Sequence, residues 1–252
     1  MKLDLVGGRK MNIALIGYGK MGQAIAKNSI KPHNIALIVD PEIDKTCAPV
    51  SNKDTLCLRS ISEIPSELLS KIDVFVEFTS PASALENINR IIDTKNDARI
   101  ICGTTGWDPK TILEKLNQKG AMLLYGSNFS IGVNIISKAL ATVTKDLKKL
   151  GNFNASMVEY HHKNKKDAPS GTAKMLAEII EGQNTPCPIS SVRSGYYPGT
   201  HSICFDSEFE TIEIKHTARN RDLFCQGILA STTWLLKQKK PGLYNFENVI
   251  NA

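Results

Sequence analysis

The sequence predicts an α/β fold, in which a Rossmann-type, doubly wound parallel sheet is followed by an α+β region with a mixed sheet. Two observations predict it. From Met11 to about residue 128, short apolar strand patterns alternate with helical patterns, as in parallel sheets whose strands are joined by crossover helices. From residue 131 to about residue 220, strand patterns follow one another with few helices between them, which is typical of mixed or antiparallel sheets.

The first part contains predicted strands that share short runs of apolar and β-branched residues bounded by turn residues. They span residues 12–16, 35–39, 74–78, 99–102 and 122–125. Helices are predicted between them over residues 23–29, 81–92 and 109–119. The last two helices begin with proline, which is favoured in the first turn of a helix.

The second part begins with a predicted helix over residues 135–150 and a strand over residues 155–160. A polar loop and a helix over residues 172–181 come next. Further strands are predicted over residues 189–193, 201–205 and 211–216. The helical spacing of apolar residues then predicts a last helix over residues 222–236.

The composition argues against several classes of protein. Hydrophobic residues make up 42% of the 252 residues and charged residues 22%, which is ordinary for a globular chain and argues against disorder or a coiled coil. The net charge of +6 is mild and aromatic residues make up 6%. We therefore expect no nucleic-acid binding, which needs a dense basic face with stacking aromatic rings. No apolar run approaches the roughly 18 residues of a membrane helix, so no membrane association is expected.

Cysteine usage predicts a cytoplasmic protein. The six cysteines are scattered and include no Cys-x-x-Cys pair, so the spacing typical of zinc sites is absent and we expect no metal. A disulfide framework is conceivable from the even number, but a chain of this length does not need one. Free thiols in a reducing compartment are the expectation.

The first chemical motif follows the first predicted strand. It reads Gly17-Tyr18-Gly19-Lys20-Met21-Gly22 and opens a helix, which is the context that a dinucleotide-binding motif requires. Glycines let the backbone approach a pyrophosphate, and the amides at the start of the helix attract its charge. We therefore expect Gly17, Gly19, Lys20, Met21 and Gly22 to bind a dinucleotide. A purely structural turn is the alternative.

Asp40 bears on the choice of cofactor. It ends the second predicted strand, about 20 residues after the glycines, where a carboxylate accepts a hydrogen bond from the adenosine ribose. A carboxylate repels the 2′-phosphate of NADPH, and the next residues, Pro41 and Glu42, include no arginine to attract it. The sequence therefore predicts NADH as the preferred cofactor. NADPH is the second choice, because Lys20 or Lys45 could still reach a phosphate.

A second motif lies in the polar loop before the helix over residues 172–181. Residues 161–166 contain two histidines and three lysines, and a Pro-Ser-Gly-Thr turn then opens the helix. Histidine exchanges a proton near neutral pH, lysine supplies a cation and a proton, and the start of a helix binds carboxylates. The motif predicts a trap for a small anionic substrate. A solvated basic loop before a capped helix is the alternative.

These residues carry a resemblance to a known family. The run from Glu159 to Thr172 resembles the signature of the 4-hydroxy-tetrahydrodipicolinate reductases, also called dihydrodipicolinate reductases, of the diaminopimelate route to lysine. Matching motifs extend along nearly the whole chain from Met11. Besides the glycine turn, they are Glu77-Phe78-Thr79, Gly103-Thr104-Thr105-Gly106, the run from Ser127 to Val133, Arg193-Ser194-Gly195, Gly199-Thr200-His201, His216-Thr217-Ala218 with Arg221, and Pro241-Gly242-Leu243-Tyr244.

The resemblance implies an oxidoreductase that reduces the dehydrated form of 4-hydroxy-tetrahydrodipicolinate to tetrahydrodipicolinate with NADH or NADPH. It implies that His161 and Lys165 are the catalytic groups that protonate the ring after hydride arrives. Hydride addition to a conjugated imine leaves charge that a proton donor must quench, which agrees with these residue types. Arg193 and Arg221 are interpreted as structural residues or as partners in salt bridges between domains.

The resemblance also implies two sets of binding residues. The carboxylates of the substrate are contacted by His162, Lys165, Gly171, Thr172 and Thr104. The nicotinamide half of the cofactor is held by loops that contain Phe78, Gly103, Thr104, Thr105, Gly126, Ser127, Asn128 and Phe129. Both sets follow predicted strands or open a predicted helix, which are the places where α/β proteins bind ligands.

Together these expectations divide the chain. Residues 11–130 form a dinucleotide-binding domain, 131–220 a substrate-binding and oligomerisation domain, 221–252 a C-terminal return to the first domain, and 1–10 a possible disordered extension. The resemblance implies a homo-oligomer, a tetramer formed through the sheets of the substrate domain. Two alternatives stay open: a catalytically silent dinucleotide-sensing protein, and a related aspartate-family dehydrogenase.

Overall fold

The computed structural model describes residues 10–28, 33–43 and 54–252. Lys45 and Cys47, on which two expectations fall, lie outside these residues, as does nearly all of the predicted extension. The described cysteines are free thiols. None of the described helices has both the length and the hydrophobicity that crossing a bilayer requires.

The strands and helices are numbered here in chain order. The strands are β1 Asn12–Ile16, β2 Asn34–Val39, β3 Leu56–Leu58, β4 Val74–Glu77, β5 Arg99–Cys102, β6 Met122–Tyr125, β7 Asn154–His161, β8 Ile189–Arg193, β9 Thr200–Asp206, β10 Thr211–Thr217 and β11 Gly242–Tyr244. The helices are α1 Lys20–Asn28, α2 Ser66–Lys71, α3 Pro81–Thr94, α4 Leu113–Lys119, α5 Ile131–Leu150, α6 Gly171–Glu181, α7 Asp222–Leu235 and α8 Phe246–Ile250.

The described residues form two compact units. One contains the chain up to Phe129 together with Phe224–Ala252, and the other contains Ser130–Leu223. Binding of a dinucleotide by the first part of the chain and of the substrate by the second remains a prediction from the sequence.

The first unit is built on a parallel sheet with the strand order β11-β6-β5-β4-β1-β2-β3. Every neighbouring pair in it is parallel, so the prediction of a doubly wound sheet is confirmed. The strand order reverses between β1 and β4, and ligands of such sheets bind at the carboxyl ends of the strands beside this point. Gly17 follows β1 and Phe78 follows β4.

Burial explains why this sheet forms. Strands β1, β2 and β4 are buried almost throughout, as expected for parallel strands with helices on both faces. Helix α3 begins with Pro81 and buries Ala84, Ile88, Ile91 and Ile92 at helical spacing. Each fully buried isoleucine contributes about 1.5–3 kcal/mol of transfer free energy.

The structure differs from the sequence prediction at several short elements. Strand β3, helix α2 and helix α8 were not predicted, because segments of three to six residues are too short to show a clear periodicity. Helix α1 begins at Lys20 rather than at residue 23, so the second half of the glycine motif lies in the first turn of the helix. The predicted helix over residues 109–119 divides into a 3₁₀ turn and α4.

The second unit contains a sheet with the strand order β10-β9-β7-β8. The pairs β10-β9 and β9-β7 are antiparallel and the pair β7-β8 is parallel, so the prediction of a mixed sheet is confirmed. Helices α5 and α6 pack on one face, around a core that includes Leu140, Met157, Leu176 and Phe205. Since side chains alternate along a strand, Ala155, Met157, Glu159 and His161 of β7 share this helix-covered face.

Candidate active site

The glycine turn of the first unit is closely packed at two positions and open at a third. Gly17 has a φ of +95°, and a Cβ there would lie 2.2 Å from the carbonyl oxygen of Phe78. A Cβ at Gly22 would lie 2.2 Å from the carbonyl oxygen of Gly17. Nothing lies within 4 Å of a Cβ at Gly19. The packing therefore requires glycine at positions 17 and 22, while the backbone of Gly19 is left accessible to a ligand.

Lys20, Met21 and Gly22 form the first turn of α1. The amides of a first turn have no acceptor within their own helix, and the helix dipole adds positive potential at this end. The arrangement that the sequence predicts for a pyrophosphate is therefore present in the backbone.

Asp40 fixes the shape of this turn. Its Oδ2 accepts a hydrogen bond from the amide of Tyr18 at 2.6 Å, and its Oδ1 accepts one from the amide of Glu42 at 2.9 Å. Each carboxylate oxygen has a second lone pair, so Asp40 can also accept a ribose hydroxyl. The residue that was predicted to select the cofactor thus also supports the glycine turn.

A cavity of about 490 Å³ adjoins the turn and is lined by Gly17, Gly19, Asp40 and Phe78. Arg59 also lines it, and the sequence reasoning missed this residue. Arg59 directly follows β3, which pairs with β2, and the amide of Asp40 donates a hydrogen bond to the carbonyl of Leu58 at 3.0 Å. The pairing therefore brings a guanidinium to the same sheet edge as Asp40, although the two residues are far apart in sequence.

Arg90 lines the cavity as well, but its guanidinium lies 2.6 Å from the carboxylate of Glu86. Arg59 has no ion-pair partner within the described part of the chain. Of these two arginines, Arg59 is the better placed to meet an added phosphate.

Aromatic rings support the predicted nicotinamide loops. The rings of Phe78 and Phe129 meet edge to face at 5.9 Å, and Phe129 meets Phe246 of α8 at 6.0 Å. A Cβ at Gly103 would lie 2.0 Å from the ring of Phe78, and one at Gly126 would lie 3.1 Å from the ring of Phe129. Phe129 itself is buried, so its side chain supports the loop from the core.

Polar contacts tie the loops after β4 and β5 together. The buried Oγ1 of Thr104 accepts a hydrogen bond from the amide of Thr79 at 2.8 Å. The hydroxyl of Thr79 donates to the carboxylate of Glu77, and the thiol of Cys102 donates to the other oxygen at 3.2 Å. Burial, together with the Glu77 carboxylate, raises the pKa of Cys102 well above its usual range, so the thiol stays protonated.

The remaining predicted cofactor contacts follow strands β5 and β6. Thr105 lies in the loop after β5, and Gly126, Ser127 and Asn128 lie in the loop after β6. Strands β5 and β6 are parallel neighbours in the sheet, so all of these loops lie at the carboxyl ends of adjacent strands. Thr104, predicted to contact substrate and cofactor alike, belongs to the first unit.

In the second unit, a buried carboxylate organises the predicted substrate site. Oε1 of Glu159 accepts hydrogen bonds from the amide of Ser170 at 3.0 Å, the hydroxyl of Ser191 at 2.7 Å and Nη2 of Arg193 at 2.6 Å. Burial alone would raise the pKa of Glu159, but these hydrogen bonds outweigh it and lower the pKa to about 2. Glu159 is therefore ionised at neutral pH, and Arg193, interpreted from the sequence as structural, is bonded to it.

His161 lies at the end of β7 beside this carboxylate. Its Nδ1 is 3.1 Å from Oε2 of Glu159, and its ring meets that of His201 edge to face at 5.4 Å. Burial lowers the pKa of His161, whereas the charge of Glu159 raises it. Burial and the proximity of His161 lower the pKa of His201 to about 4, so His201 is neutral at physiological pH.

Lys165 forms an ion pair within the loop that follows β7. Its Nζ lies 2.7 Å and 2.8 Å from the two carboxylate oxygens of Asp167. The Lys165 ammonium lowers the pKa of Asp167 and also that of His161. Arg193 donates a hydrogen bond to the backbone carbonyl of Asp167 at 2.6 Å, which attaches the loop to the neighbouring strand.

The start of α6 is held against the same cluster. Ser170 caps the helix by accepting a hydrogen bond from the amide of Ala173 at 3.2 Å, and its hydroxyl lies 3.1 Å from Nε2 of His201. Gly171 and Thr172 follow directly, and nothing lies within 4 Å of a Cβ at Gly171. The structure thus brings His161, Lys165 and the start of α6 together.

His162 lies at the turn after β7, half-buried, and its carbonyl accepts a hydrogen bond from the amide of Lys165 at 3.0 Å. Glu159, His161 and His201 offer ligand atoms within 4.8 Å of one another. The guanidinium of Arg193 and the ammonium of Lys165 add positive charge beside them, so the cluster is suited to holding a proton rather than a metal cation.

Comparisons with known proteins agree with the resemblance. The N-terminal family model of dihydrodipicolinate reductase matches residues 11–129 and the C-terminal model matches residues 132–250. The chain is 31% identical over 257 residues to the 4-hydroxy-tetrahydrodipicolinate reductase of Christiangramia forsetii, covering 96% of this chain and 98% of the relative. It is 32% identical over 247 residues to that of Bdellovibrio bacteriovorus, covering 96% and 97%.

A solved structure has the same fold. It is a dipicolinate-bound dihydrodipicolinate reductase from Paenisporosarcina, with a TM-score of 0.76 and 22% identity over 95% of this chain and 99% of that one. At this identity the likeness shows the fold alone, whereas the family models and the relatives above 30% identity extend along nearly the whole chain. The chain therefore belongs to the family of 4-hydroxy-tetrahydrodipicolinate reductases, the oxidoreductases of the diaminopimelate route to lysine.

Proposed function

We propose that this chain reduces the dehydrated form of 4-hydroxy-tetrahydrodipicolinate to tetrahydrodipicolinate, using NADH in preference to NADPH. One observation carries the proposal. A titratable histidine, a lysine ammonium and the open start of a helix meet at the carboxyl end of β7, which is the chemistry that protonation of a bound dicarboxylate requires.

The cavity of the first unit supports dinucleotide binding. It measures about 490 Å³ and contains the exposed backbone of Gly19 beside the carboxylate of Asp40. When bound, the nicotinamide supplies the hydride. Asp40 favours the 2′-hydroxyl of NADH, while the guanidinium of Arg59 favours the 2′-phosphate of NADPH. The proposed preference for NADH is therefore modest.

The second unit supports binding of a dicarboxylate. We assign one carboxylate to the ammonium of Lys165 and to His162, and the other to the hydroxyl of Thr172 and the amides at Gly171. In this structure Lys165 pairs with the carboxylate of Asp167. A substrate carboxylate that binds to Lys165 would share the ammonium with Asp167. The similar reductase from Paenisporosarcina was solved with dipicolinate, a dicarboxylate, bound.

The protonation step follows from the chemistry of the substrate. The conjugated imine accepts a hydride with its electron pair, and the resulting negative charge is quenched by one proton. His161 delivers the proton from its ring, and the ammonium of Lys165 stabilises the charge and assists the transfer. His161 then recovers a proton from solvent, so the overall reaction consumes one NAD(P)H and one proton for each product.

We also propose a cytoplasmic homotetramer. The face of the mixed sheet that is not covered by helices supports assembly. At its centre Ser156 is exposed, Val158 and Cys204 are partly buried, and none of the three carries a charge. A sheet face of this kind is normally packed against another layer.

A coupled assay tests the function. The substrate is generated in place from aspartate semialdehyde, pyruvate and the upstream synthase, and the loss of NADH absorbance is measured. We expect oxidation only when all three components are present. Binding of NADH without turnover would instead favour a dinucleotide sensor, and oxidation with aspartate semialdehyde alone would favour a homoserine-type dehydrogenase.

A further inference from the structure

His161, the proposed proton donor, has a buried ring nitrogen that faces a buried carboxylate oxygen. Oε2 of Glu159 and Nδ1 of His161 lie 3.1 Å apart. Among the described residues, neither atom has a hydrogen bond with acceptable angles. Buried polar atoms without partners are rare and costly. Because these two are complementary and already in contact, a small rotation of the His161 ring would satisfy both, and hydrogen bonds in active sites often align only when the ligand binds.

We propose that Glu159 is a positioning residue for His161. Its carboxylate accepts a hydrogen bond from the Nδ1–H group of the ring, which fixes the ring orientation and leaves Nε2 as the atom that delivers a proton to the substrate. The inference rests on the proposed function and extends it by assigning a role to a residue that does not itself contact substrate.

The carboxylate of Glu159 is rigidly held for this role. Its side chain is fully buried, and Oε1 is occupied by donors from Ser170, Ser191 and Arg193. These three donors come from the start of α6 and from the neighbouring strand β8. Since Oε1 is fixed by three bonds, Oε2 is aimed at the imidazole. Once the ring rotates into alignment, a carboxylate held in this way sets the tautomer of a histidine.

The opposite side of the His161 ring is kept open by a glycine. A Cβ at Gly199 would lie 3.0 Å from Nε2 of His161. The φ of Gly199 is +149°, a value that residues with a side chain rarely adopt. The backbone therefore leaves space next to Nε2, where the ring could meet a ligand, while Nδ1 faces the buried carboxylate.

The charges around His161 come from several elements. Glu159 on β7 and Asp167 in the following loop favour the protonated ring, whereas Lys165 in that loop and Arg193 on β8 disfavour it. His201 on β9 is neutral at physiological pH, and His216 on β10 acts on His201. Since Glu159 contributes the larger of the two favourable effects, its removal should lower the pKa of His161.

The test is the pH dependence of Glu159→Gln. A proton donor acts only when protonated, so kcat falls as the pH rises through the pKa of His161. Loss of the Glu159 charge should shift the alkaline limb of the kcat profile to a pH about one unit lower than in the wild-type protein. At a pH above the limbs of both proteins, the kcat of the variant should therefore be about tenfold lower than that of the wild type, with little change in the KM for NADH. Glu159→Asp should restore part of the shift, and Glu178→Gln on the exposed side of α6 is the matched control.

A second measurement keeps the inference testable if Glu159→Gln does not fold. The wild-type protein is labelled with ¹⁵N-histidine, and the ring signals of His161 are assigned by comparison with His161→Asn. We expect the neutral ring to carry its proton on Nδ1. A neutral ring protonated on Nε2 would overturn the proposal, as would an unshifted alkaline limb in a folded Glu159→Gln variant. A wild-type protein that does not turn over would instead refute the proposed function, while the NMR result would still decide the role of Glu159.

Discussion

Lys165 and Lys166 are adjacent in sequence but differ in their surroundings. The Lys165 side chain is 23% exposed and contacts both carboxylate oxygens of Asp167, whereas Lys166 is exposed. We expect Lys165→Ala to lower kcat on the order of 10²–10⁴-fold, as for the loss of a cation that stabilises the developing charge and assists proton transfer. Lys166→Ala should stay close to wild type. Steady-state kinetics at saturating substrate, with thermal melting to check folding, compares the two, and equal rates would remove Lys165 from the mechanism.

The position of Arg59 in the cavity leads to a separate prediction about the affinities for NADPH and NADH. A charge-assisted hydrogen bond contributes about 1.5–3 kcal/mol, which corresponds to a change in affinity of roughly ten- to a hundredfold. Arg59→Ala should therefore weaken NADPH binding by about that factor and leave NADH binding nearly unchanged. Fluorescence titration gives both dissociation constants without requiring turnover.

The control for Arg59 lies in the same cavity. Arg90 is already paired with Glu86, so Arg90→Ala should affect the two cofactors equally. An equal loss of NADH and NADPH affinity in Arg59→Ala would show that Arg59 does not contact the 2′-phosphate.

The sequence identifies residues whose chemistry is local and misses residues whose position depends on strand pairing. The glycine turn, His161 and Lys165 belong to contiguous motifs. The spacing of the glycines predicts the first motif, whereas the resemblance to the family is what assigns roles to His161 and Lys165. Arg59 becomes a candidate only when β3 pairs with β2. Arg193 reaches Glu159 only because His161 is opposite Arg193 in the β7-β8 register. Residue pairs distant in sequence leave no periodic signal.

At the scale of elements, the turn between β1 and α1 can be tested with two glycines. Gly17 has a φ of +95°, and a Cβ there would meet the Phe78 backbone at 2.2 Å. Gly17→Ala should lower the free energy of unfolding by more than about 1 kcal/mol, from strain in the left-handed region plus the clash. It should also weaken cofactor binding, because the backbone of the turn must shift.

Gly19→Ala is the matched variant. Since the space around its Cβ is open, the melting temperature should stay near wild type while the affinity for NADH falls. Thermal melting and cofactor titration separate the two outcomes. Wild-type affinity in a folded Gly19→Ala variant would contradict the assignment of this backbone to the pyrophosphate.

Elements with a clear apolar run are predictable from the sequence and elements without one are not, for a physical reason. Strands β5 and β6 occur at the predicted residues, because their apolar runs are bounded by clear turn residues. Strand β3 has only half-buried side chains over three residues, so it depends on its pairing with β2 rather than on its own pattern. Arg59 directly follows this strand and lines the cavity beside Asp40, so the prediction of NADH from the sequence did not take its guanidinium into account.

At the scale of the whole molecule, the uncovered face of the mixed sheet determines the expected assembly. Val158 on β7 lies between Ser190 of β8 and Ser202 of β9 in the registers of the sheet. The centre of this face is therefore small and uncharged, whereas the edge strand β10 presents the exposed Glu213 and Lys215. Phe209, in the turn between β9 and β10, is 89% exposed. An uncharged centre with a charged rim is typical of interfaces.

The proposed tetramer gives a direct test on this face. Light scattering coupled to size-exclusion chromatography should give a mass about four times the 27.7 kDa of one chain. Val158→Asp would bury an unpaired charge at the centre of the face, which is strongly unfavourable, and should shift the mass towards smaller species. Glu178→Arg reverses a charge on the exposed side of α6 and should leave the mass unchanged. A monomeric wild-type protein, or a tetramer that persists in Val158→Asp, would show that this face does not form the interface.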